Sequence, residues 1–401
     1  MCKIYVVDAP CGAGKTSGAI DMINNSSKNE RYLFITPFLK EVTRIKDECK
    51  NKKFYEPQEK GTKLNSIHWL ISNEFNIAST HSLFLNFNEY TIEILKQKDY
   101  ILILDEVADV VEIMDITRQD LTNILENYAH VEDGLLIWDD MGYDGKFRDV
   151  KRMALTKCVG IYGDTALIWC FPVEIFKLFK EVYILTYMFD AQIQKYYYDF
   201  YNINYKYKYI KFSGGKYRFT DEIQYYNYCH KYRELINICD NEKLNSIGDK
   251  DTALSVSWFR RDRSQRSKPL IRTLKNNTLN YFRNILKSTT SGNMWTTFKD
   301  FKKMVQGSGY TRGFVSVNAR ATNDFRHKNC LAYLVNIYMN PILKQFFRQK
   351  DILVNEDMYA LSEMIQWIWR SAIREEQPIN IYIPSSRMRN LLINWLNSDK
   401  V

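Results

Sequence analysis

Residues 3–16 are KIYVVDAPCGAGKT, and this stretch decides the fold of the first half of the chain. Six strand-favouring residues are followed by a glycine-rich loop, and residues 14–23 then have a helical pattern. A strand, a tight loop and a helix in this order are the context that a phosphate-binding loop requires. The stretch therefore predicts an α/β domain that binds a nucleotide at the carboxyl end of its first strand.

The loop matches the P-loop pattern except that Ala9 replaces the first glycine. Backbone amides of such a loop hold phosphates at a helix N-terminus, the lysine reaches the β and γ phosphates, and the hydroxyl after it binds Mg²⁺. We assign the lysine role to Lys15 and the metal role to Thr16. The predicted ligands are ATP and Mg²⁺, and the predicted nucleotide-binding residues are Gly12, Ala13, Gly14, Lys15, Thr16 and Ser17.

A second motif supports hydrolysis of the nucleotide rather than its storage. The apolar run at residues 100–104 ends in the two acids Asp105 and Glu106. Asp105 is predicted to hold magnesium, and Glu106 to orient or deprotonate the attacking water, because phosphoryl transfer needs a positioned nucleophile and neutralised charge. The other interpretation is a buried strand followed by an acid that caps the next helix.

Further apolar runs indicate the domain organisation. Runs at residues 32–35, 100–104 and 182–185 are typical of strands buried on both faces of a parallel sheet. They place one open α/β domain at residues 1–205, with an acidic surface insertion near 128–160. Residues 313–317, 331–335 and 379–383 predict strands, and residues 358–374 a helix, so 301–401 is predicted as the core of a second α/β lobe. Residues 206–300 are left as an insertion or connecting region.

The charge of the chain is unevenly distributed. Residues 1–200 contain 23 Lys and Arg against 30 Asp and Glu, whereas the remainder contains 33 against 17. Since phosphate neutralisation by Lys and Arg drives most nucleic-acid affinity, a polyanion is expected to bind the second half. The basic residues concentrate between positions 258 and 287, at Arg260, Arg261, Arg263, Arg266, Lys268, Arg272, Lys275, Arg283 and Lys287. A solvated helix face is the other interpretation of this run.

Aromatic residues near the basic ones leave two interpretations open. Tyr205, Tyr207 and Tyr209 alternate with lysines, which predicts a strand whose aromatic face either stacks on bases or packs against the protein. Trp258 and Trp295 are similarly candidates for base stacking, as is Tyr281.

Two exclusions follow from composition. No apolar run reaches the roughly 18 residues that cross a bilayer, so no membrane partner is expected and we expect the protein in the cytoplasm. The eight cysteines are scattered without zinc-type spacing and are expected to be reduced thiols.

With these motifs, the chain resembles superfamily-two helicases, and in particular the compact helicase-like proteins of phages and mobile elements. The resemblance implies two RecA-like lobes with parallel sheets, plus insertions. Residues 34–39, FITPFL, are similar to the family's motif Ia, and residues 79–81, STH, to a threonine-bearing motif. By this resemblance Thr36, Pro37, Thr80 and His81 would contact the nucleic acid. Thr186 occupies the place of the family's coupling motif.

The resemblance continues in the second half. Residues 318–323, NARATN, follow a predicted strand as motif V does, which implies nucleic-acid contacts by Arg320, Thr322 and Asn323. Residues 366–374, QWIWRSAIR, are similar to the motif VI helix, although the second arginine is eight rather than seven residues after the glutamine. On one helix Gln366, Arg370 and Arg374 would share a face. The resemblance implies that Arg370 or Arg374 stabilises the transition state.

The function expected from these observations is ATP-driven movement along, or remodelling of, nucleic acid in phage or mobile-element DNA replication or recombination. DNA is the expected track, RNA the alternative, and replication proteins are candidate partners; the oligomeric state is left open. A packaging motor or a small-molecule kinase is a second interpretation. A third is an adaptor that binds ATP as a switch, without hydrolysis, to load a replication protein.

Overall fold

The computed structural model describes residues 2–59, 61–162, 166–224, 228–264, 268–317 and 324–398. The chain divides into two compact units. The first comprises Met1–Ala9, Ala13–Gln224 and Asn340–Val354. The second comprises Pro10–Gly12, Tyr225–Met339 and Asn355–Val401.

The strands of the described residues, in chain order, are β1 (Lys3–Asp8), β2 (Arg31–Thr36), β3 (Phe54–Tyr55), β4 (Asn76–Thr80), β5 (Tyr100–Asp105), β6 (Val111–Ile113), β7 (Ala129–Glu132), β8 (Leu135–Trp138), β9 (Val159–Tyr162), β10 (Ala166–Cys170), β11 (Glu181–Thr186), β12 (Lys206–Ser213), β13 (Lys216–Thr220), β14 (Ile236–Ile238), β15 (Asn293–Thr296), β16 (Cys330–Tyr333) and β17 (Ile379–Tyr382).

The α-helices of the same residues are α1 (Lys15–Asn24), α2 (Leu39–Glu48), α3 (Lys63–Ser72), α4 (His81–Phe84), α5 (Glu89–Leu95), α6 (Arg118–Asn127), α7 (Arg148–Ala154), α8 (Val173–Lys177), α9 (Ile193–Phe200), α10 (Tyr228–Arg233), α11 (Glu242–Asn245), α12 (Val256–Ser264), α13 (Pro269–Asn280), α14 (Lys302–Val305), α15 (Pro341–Arg348), α16 (Glu356–Ile368) and α17 (Ser386–Leu396). A π-helical turn, Tyr281–Ile285, continues α13. None of the helices in the described part of the chain is long and apolar enough to cross a bilayer.

The first unit is built on a sheet in which strands β13-β12-β1-β11-β5-β2-β4-β3 are neighbours in that order. All neighbours are parallel except β12 and β13. The four apolar runs that predicted strands are β1, β2, β5 and β11, so that prediction is confirmed. Their continuous apolar sequences match burial on both faces, and α1 and α2 contribute to the core over one face.

An antiparallel sheet is inserted in the first unit between β5 and β11. Its strand order is β6-β10-β9-β8-β7. It spans residues 111–170, which is wider than the surface insertion that we predicted near 128–160. The acidic stretch of that prediction contains the hairpin β7–β8 and the helix α7.

The Tyr- and Lys-rich segment belongs to the sheet of the first unit. β12 pairs with β1 in parallel and with β13 in an antiparallel hairpin. The two-residue turn is Gly214-Gly215, and both glycines have positive φ, 60° and 76°, as a type I′ turn requires. Tyr205 packs edge-on against Phe189, with ring centroids 5.2 Å apart, so it belongs to the protein's own packing rather than to a free stacking surface.

The second unit contains a parallel sheet with strand order β14-β17-β16-β15. The strands predicted at 331–335 and 379–383 are β16 and β17. The strand predicted at 313–317 is wrong. Thr311–Gly313 is a 3-10 turn, and beyond it the chain makes one isolated bridge, between Phe314 and Trp295.

Candidate nucleotide site and nucleic-acid surface

The P-loop connects β1 to α1 and presents backbone amides at the start of that helix. Gly12 and Gly14 have φ of +83° and +87°, conformations that residues with a Cβ rarely adopt. Gly14 is the N-cap of α1 and, as a glycine, has no side chain with which to cap the first amides of the helix. Ala9 is buried to 1% exposure, which explains why only a small residue stands there. The geometry therefore suits phosphate binding at a helix N-terminus.

The metal residues predicted from the sequence are in contact. Thr16 Oγ1 donates a hydrogen bond to Asp105 Oδ1 at 3.1 Å, across 89 residues of sequence. Burial, and then the neighbouring Glu106 carboxylate, raise the pKa of Asp105 to about 7. A divalent cation would relieve both effects, because it replaces lost hydration and neutralises the two acids. The donor set of one hydroxyl and one carboxylate therefore fits Mg²⁺.

Lys15 and Glu106 complete the candidate nucleotide site. Lys15 Nζ donates to the carbonyl of Ala9 at 2.5 Å, so the amine lies over the loop that would hold the phosphates. Glu106 follows the strand β5 and has φ of +71°. Its backbone amide donates to Leu185 O at 2.9 Å. A strained conformation at a residue predicted to position water is common at functional sites.

Sequence reasoning missed two residues at this site. The Asp8 carboxylate accepts the amides of Met188 and Phe189, each at 2.8 Å, and so ties β1 to the loop after β11. Arg44 Nη2 donates to Ser17 Oγ at 3.3 Å from α2. An acid before the loop was visible in the sequence, but its partners are 180 residues away. Nothing in the sequence marked Arg44.

The residues similar to motif Ia and to the threonine-bearing motif lie at the same edge of the sheet. Thr36 is fully buried at the end of β2, and its hydroxyl has no hydrogen-bond partner among the described residues. His81 is 2% exposed, and its Nε2 donates to the backbone carbonyl of Asp105 at 3.0 Å. Pro37 and Thr80 are half-buried. Nucleic-acid contacts by these residues stay a prediction.

The residues similar to motif VI are not on one helix. α16 ends at Ile368, and Ala372–Glu375 forms a 3-10 turn, so the helix predicted to reach Arg374 is wrong. Gln366 is half-buried in the last turn of α16. Arg370 is 4% exposed, and its Nη1 donates to Val317 O at 3.1 Å. Arg374 is exposed.

The predicted motif V residues Arg320, Thr322 and Asn323 lie outside the described residues. The segment that leads into them is described. It is held by α16, because Trp367 Nε1 donates to Val315 O at 3.1 Å. Arg370 holds the carbonyls of the next two residues.

The second unit carries an exposed basic surface, which we define as the exposed Lys and Arg side chains between residues 260 and 287. No ion pair joins any of them to a described acidic residue. Asp262, the single acid of this stretch, is 1% exposed and accepts the amides of Leu270 and Ile271 as a cap of α13. It therefore bonds to backbone amides and not to the exposed cations. The exposed members are Arg260, Arg261, Arg263, Lys268, Arg272, Arg283 and Lys287. Arg266 lies outside the described residues.

The aromatic residues beside this surface belong to the core. Trp258, Tyr281 and Trp295 are 5%, 2% and 0% exposed and pack in one apolar cluster. The prediction that one of them stacks on bases is therefore wrong in this structure. Trp367 and Trp369 are also buried, as packing residues are.

Fold and site together define a superfamily-two helicase-like protein with two α/β lobes. Residues 2–135 match the family model described as type III restriction enzyme, res subunit. The structure is similar to that of S. tokodaii Xpd4, with a TM-score of 0.51 and 12% identity over 98% of this chain and 94% of that one. A structure titled XPD_APO is similar with a TM-score of 0.50 and 12% identity, over 98% and 95% of the two chains.

Sequence comparison gives the family. Residues 111–169 match the YonV middle domain, and residues 230–396 match the YonV C-terminal Rossmann-like domain. The chain is 44% identical, over the full length of both proteins, to the SPbeta prophage-derived uncharacterized protein YonV of Bacillus subtilis (strain 168). It therefore belongs to the YonV family. The YonV middle domain coincides with the inserted antiparallel sheet.

Proposed function

We propose that this protein is an ATP-driven translocase or helicase that acts on DNA in the replication or recombination of a phage or mobile element. The contact between Thr16 and Asp105, with Glu106 next in the chain, is the observation that carries the proposal. These side chains, together with the P-loop amides, are what hydrolysis of a nucleoside triphosphate requires. The phage setting rests on the prophage origin that the name of the B. subtilis relative states.

The residues of the candidate nucleotide site divide the chemistry between them. The amides of residues 12–17 and Lys15 bind the phosphates. Thr16 and Asp105 would hold Mg²⁺, which neutralises charge on the β and γ phosphates. Glu106 orients and deprotonates water for attack on the γ phosphorus. Asp8 and His81 are positioning residues. Asp8 holds the loop after β11, and His81 holds the backbone carbonyl of Asp105.

For the second unit we propose separate roles for the two arginines. Arg370 positions residues 316–317, because its guanidinium is buried against their carbonyls. Arg374 is exposed and is our candidate for the arginine that stabilises the transferring phosphoryl group. The basic surface of α12 and α13 supplies phosphate contacts, which bind nucleic acid without reading its sequence.

Steady-state ATP hydrolysis tests the proposal, measured alone and with single-stranded DNA, duplex DNA or RNA. We expect turnover that rises with one nucleic acid. The Lys15→Ala variant should lose both binding and turnover, whereas Glu106→Gln should bind ATP without turnover. Wild-type protein that binds ATP but does not turn it over with any nucleic acid would contradict the motor and favour the adaptor. Unwinding is then measured separately with a labelled fork.

A further inference from the structure

One face of the β12–β13 hairpin covers α1. Cross-strand partners on this face are Ile210 with Phe219 and Phe212 with Tyr217. The first pair packs on Gly18: a Cβ at Gly18 would lie 2.9 Å from Ile210 Cδ1 and 3.0 Å from Phe219 Cε1. The hairpin is therefore seated closely on the helix that follows the P-loop.

The second pair lies where that helix begins. The Tyr217 ring packs on Gly14, the N-cap, so closely that a Cβ there would lie 2.3 Å from Tyr217 Cε1. The backbone amide of Tyr217 donates to Asp21 Oδ2 at 3.0 Å and fixes β13 along α1. Phe212 contacts Tyr217 with ring centroids 4.7 Å apart, yet it is 62% exposed. The aromatic face thus continues past the helix, beside the phosphate-binding amides.

The two flanks of the α1 N-terminus differ in chemistry. On the α2 side, Arg44 contacts Ser17 and pairs with Glu41 and Glu48, so that flank is charged. On the hairpin side, the surface is aromatic. A nucleotide whose phosphates occupy the P-loop extends its base away from them, and the aromatic flank offers ring faces on which a base can stack. On the other flank, the Arg44 guanidinium is held by Glu41, Glu48 and Ser17.

We propose that Phe212 and Tyr217 form the platform on which the base of the bound nucleotide stacks. The inference rests on the proposed function, since it assumes that a nucleoside triphosphate occupies the P-loop. Stacking does not distinguish bases by their hydrogen-bonding groups, so the contact area decides the preference. A two-ring base covers more of the platform than a one-ring base does. The site therefore takes purine nucleoside triphosphates in preference to pyrimidine ones.

The test measures dissociation constants for ATP, UTP and inorganic tripolyphosphate by calorimetry with Mg²⁺, in the Glu106→Gln background that prevents turnover. We expect Phe212→Ala and Tyr217→Ala to weaken ATP binding about tenfold, the effect of losing one stacked base. Tripolyphosphate, which has no base, should bind unchanged, and the preference for ATP over UTP should fall. Arg218→Ala, on the opposite face of β13, should change neither affinity, and Tyr217→Phe should retain ATP binding.

The outcomes are distinguishable. The platform is overturned if a variant loses ATP affinity and tripolyphosphate affinity equally, or if Phe212→Ala leaves the ratio of ATP affinity to UTP affinity unchanged. In either case, ATP binding that depends on Lys15 would still support the proposed function. If the ratio of ATP affinity to UTP affinity is unchanged and the melting temperature falls, Phe212 and Tyr217 serve to pack the protein and do not stack on a base. If the Glu106→Gln protein binds none of the three ligands, both proposals fail.

Discussion

Adding one methyl group at Gly14 tests how closely the hairpin is seated on the P-loop. The Gly14→Ala variant incurs two costs. A left-handed conformation, here φ +87°, costs about 1 to 2 kcal/mol for a residue with a Cβ. Part of this is offset, by about 0.4 to 1 kcal/mol, because alanine restricts the unfolded chain. The new Cβ would also lie 2.3 Å from Tyr217 Cε1, and overpacking of this kind costs about 1 to 3 kcal/mol.

Gly12 provides a matched control within the same loop. Its φ is +83°, and nothing lies within 4 Å of a Cβ built there. Gly12→Ala should therefore incur the backbone cost alone, about 1 kcal/mol, whereas Gly14→Ala should lose about 2 to 4 kcal/mol. At about 2 to 4 °C per kcal/mol for a domain of this size, thermal unfolding separates the two variants.

Making Gly14→Ala in the Tyr217→Ala protein separates the steric cost of the new methyl group from its backbone cost. With the ring removed, the additional cost of Gly14→Ala should fall to that of Gly12→Ala, because the backbone penalty remains and the overlap does not. The measurement is the melting temperature of the four proteins in the cycle. Equal destabilisation by Gly14→Ala with and without the ring would refute the contact, and so would equal effects of the two glycine substitutions.

Three further variants have defined outcomes. Glu106→Gln should lower steady-state ATP turnover by at least about 100-fold while calorimetry shows ATP still bound, since only the proton acceptor is lost; normal turnover would exclude Glu106 as the base. Replacing Arg260 and Arg263 with alanine should reduce the slope of log K against log salt for duplex DNA by about 2, measured by fluorescence anisotropy; an unchanged slope would remove them from the interface. Asp262→Ala should lower the stability of the protein by about 1 kcal/mol, seen in thermal unfolding, because it uncaps α13. A rise in nucleic-acid affinity without loss of stability would contradict that capping role.

The sequence predicted the strands that carry the candidate nucleotide site, because the motifs stand at the ends of long apolar runs. β1, β5 and β11 are six-residue strands buried on both faces, and such runs have few other interpretations. The inserted sheet was underestimated because its strands have only three to five residues, for example Val111–Ile113, and their burial patterns differ from strand to strand. Short antiparallel strands leave little periodicity to detect.

Aromatic residues near cations misled the prediction for a different reason. α12 places Trp258 and Phe259 in the core and Arg260, Arg261 and Arg263 in solvent. An amphipathic helix necessarily interleaves the two kinds of residue along the sequence, so adjacency in sequence does not mean adjacency in space. The predicted basic residues therefore form a surface, whereas the predicted stacking aromatics lie in the core.

The end of α16 shows how local capping overrides a continued pattern. Apolar residues recur through Ile373, and the sequence therefore favoured one helix to Arg374. The chain instead leaves the helix at Trp369, and Ser371 accepts the amide of Ile373 to begin a separate 3-10 turn. Arg374, which lies eight rather than seven residues after Gln366, is thus in this turn and not on the helix that carries Gln366.

The position of the inserted sheet affects Glu106, the candidate general base. Glu106 has φ of +71°, a conformation that costs about 1 kcal/mol or more and persists only when neighbouring contacts hold it. On one side its amide bonds to Leu185 O in β11. On the other, the amide of Ala108 donates to Gln194 Oε1 at 2.8 Å, and the amide of Phe171 donates to Val110 O at 2.8 Å, where the insertion leaves and rejoins the sheet. The conformation of Glu106 therefore depends on the two ends of the insertion as well as on the parallel sheet. Displacing the insertion would thus move Glu106 relative to the water that it is proposed to activate.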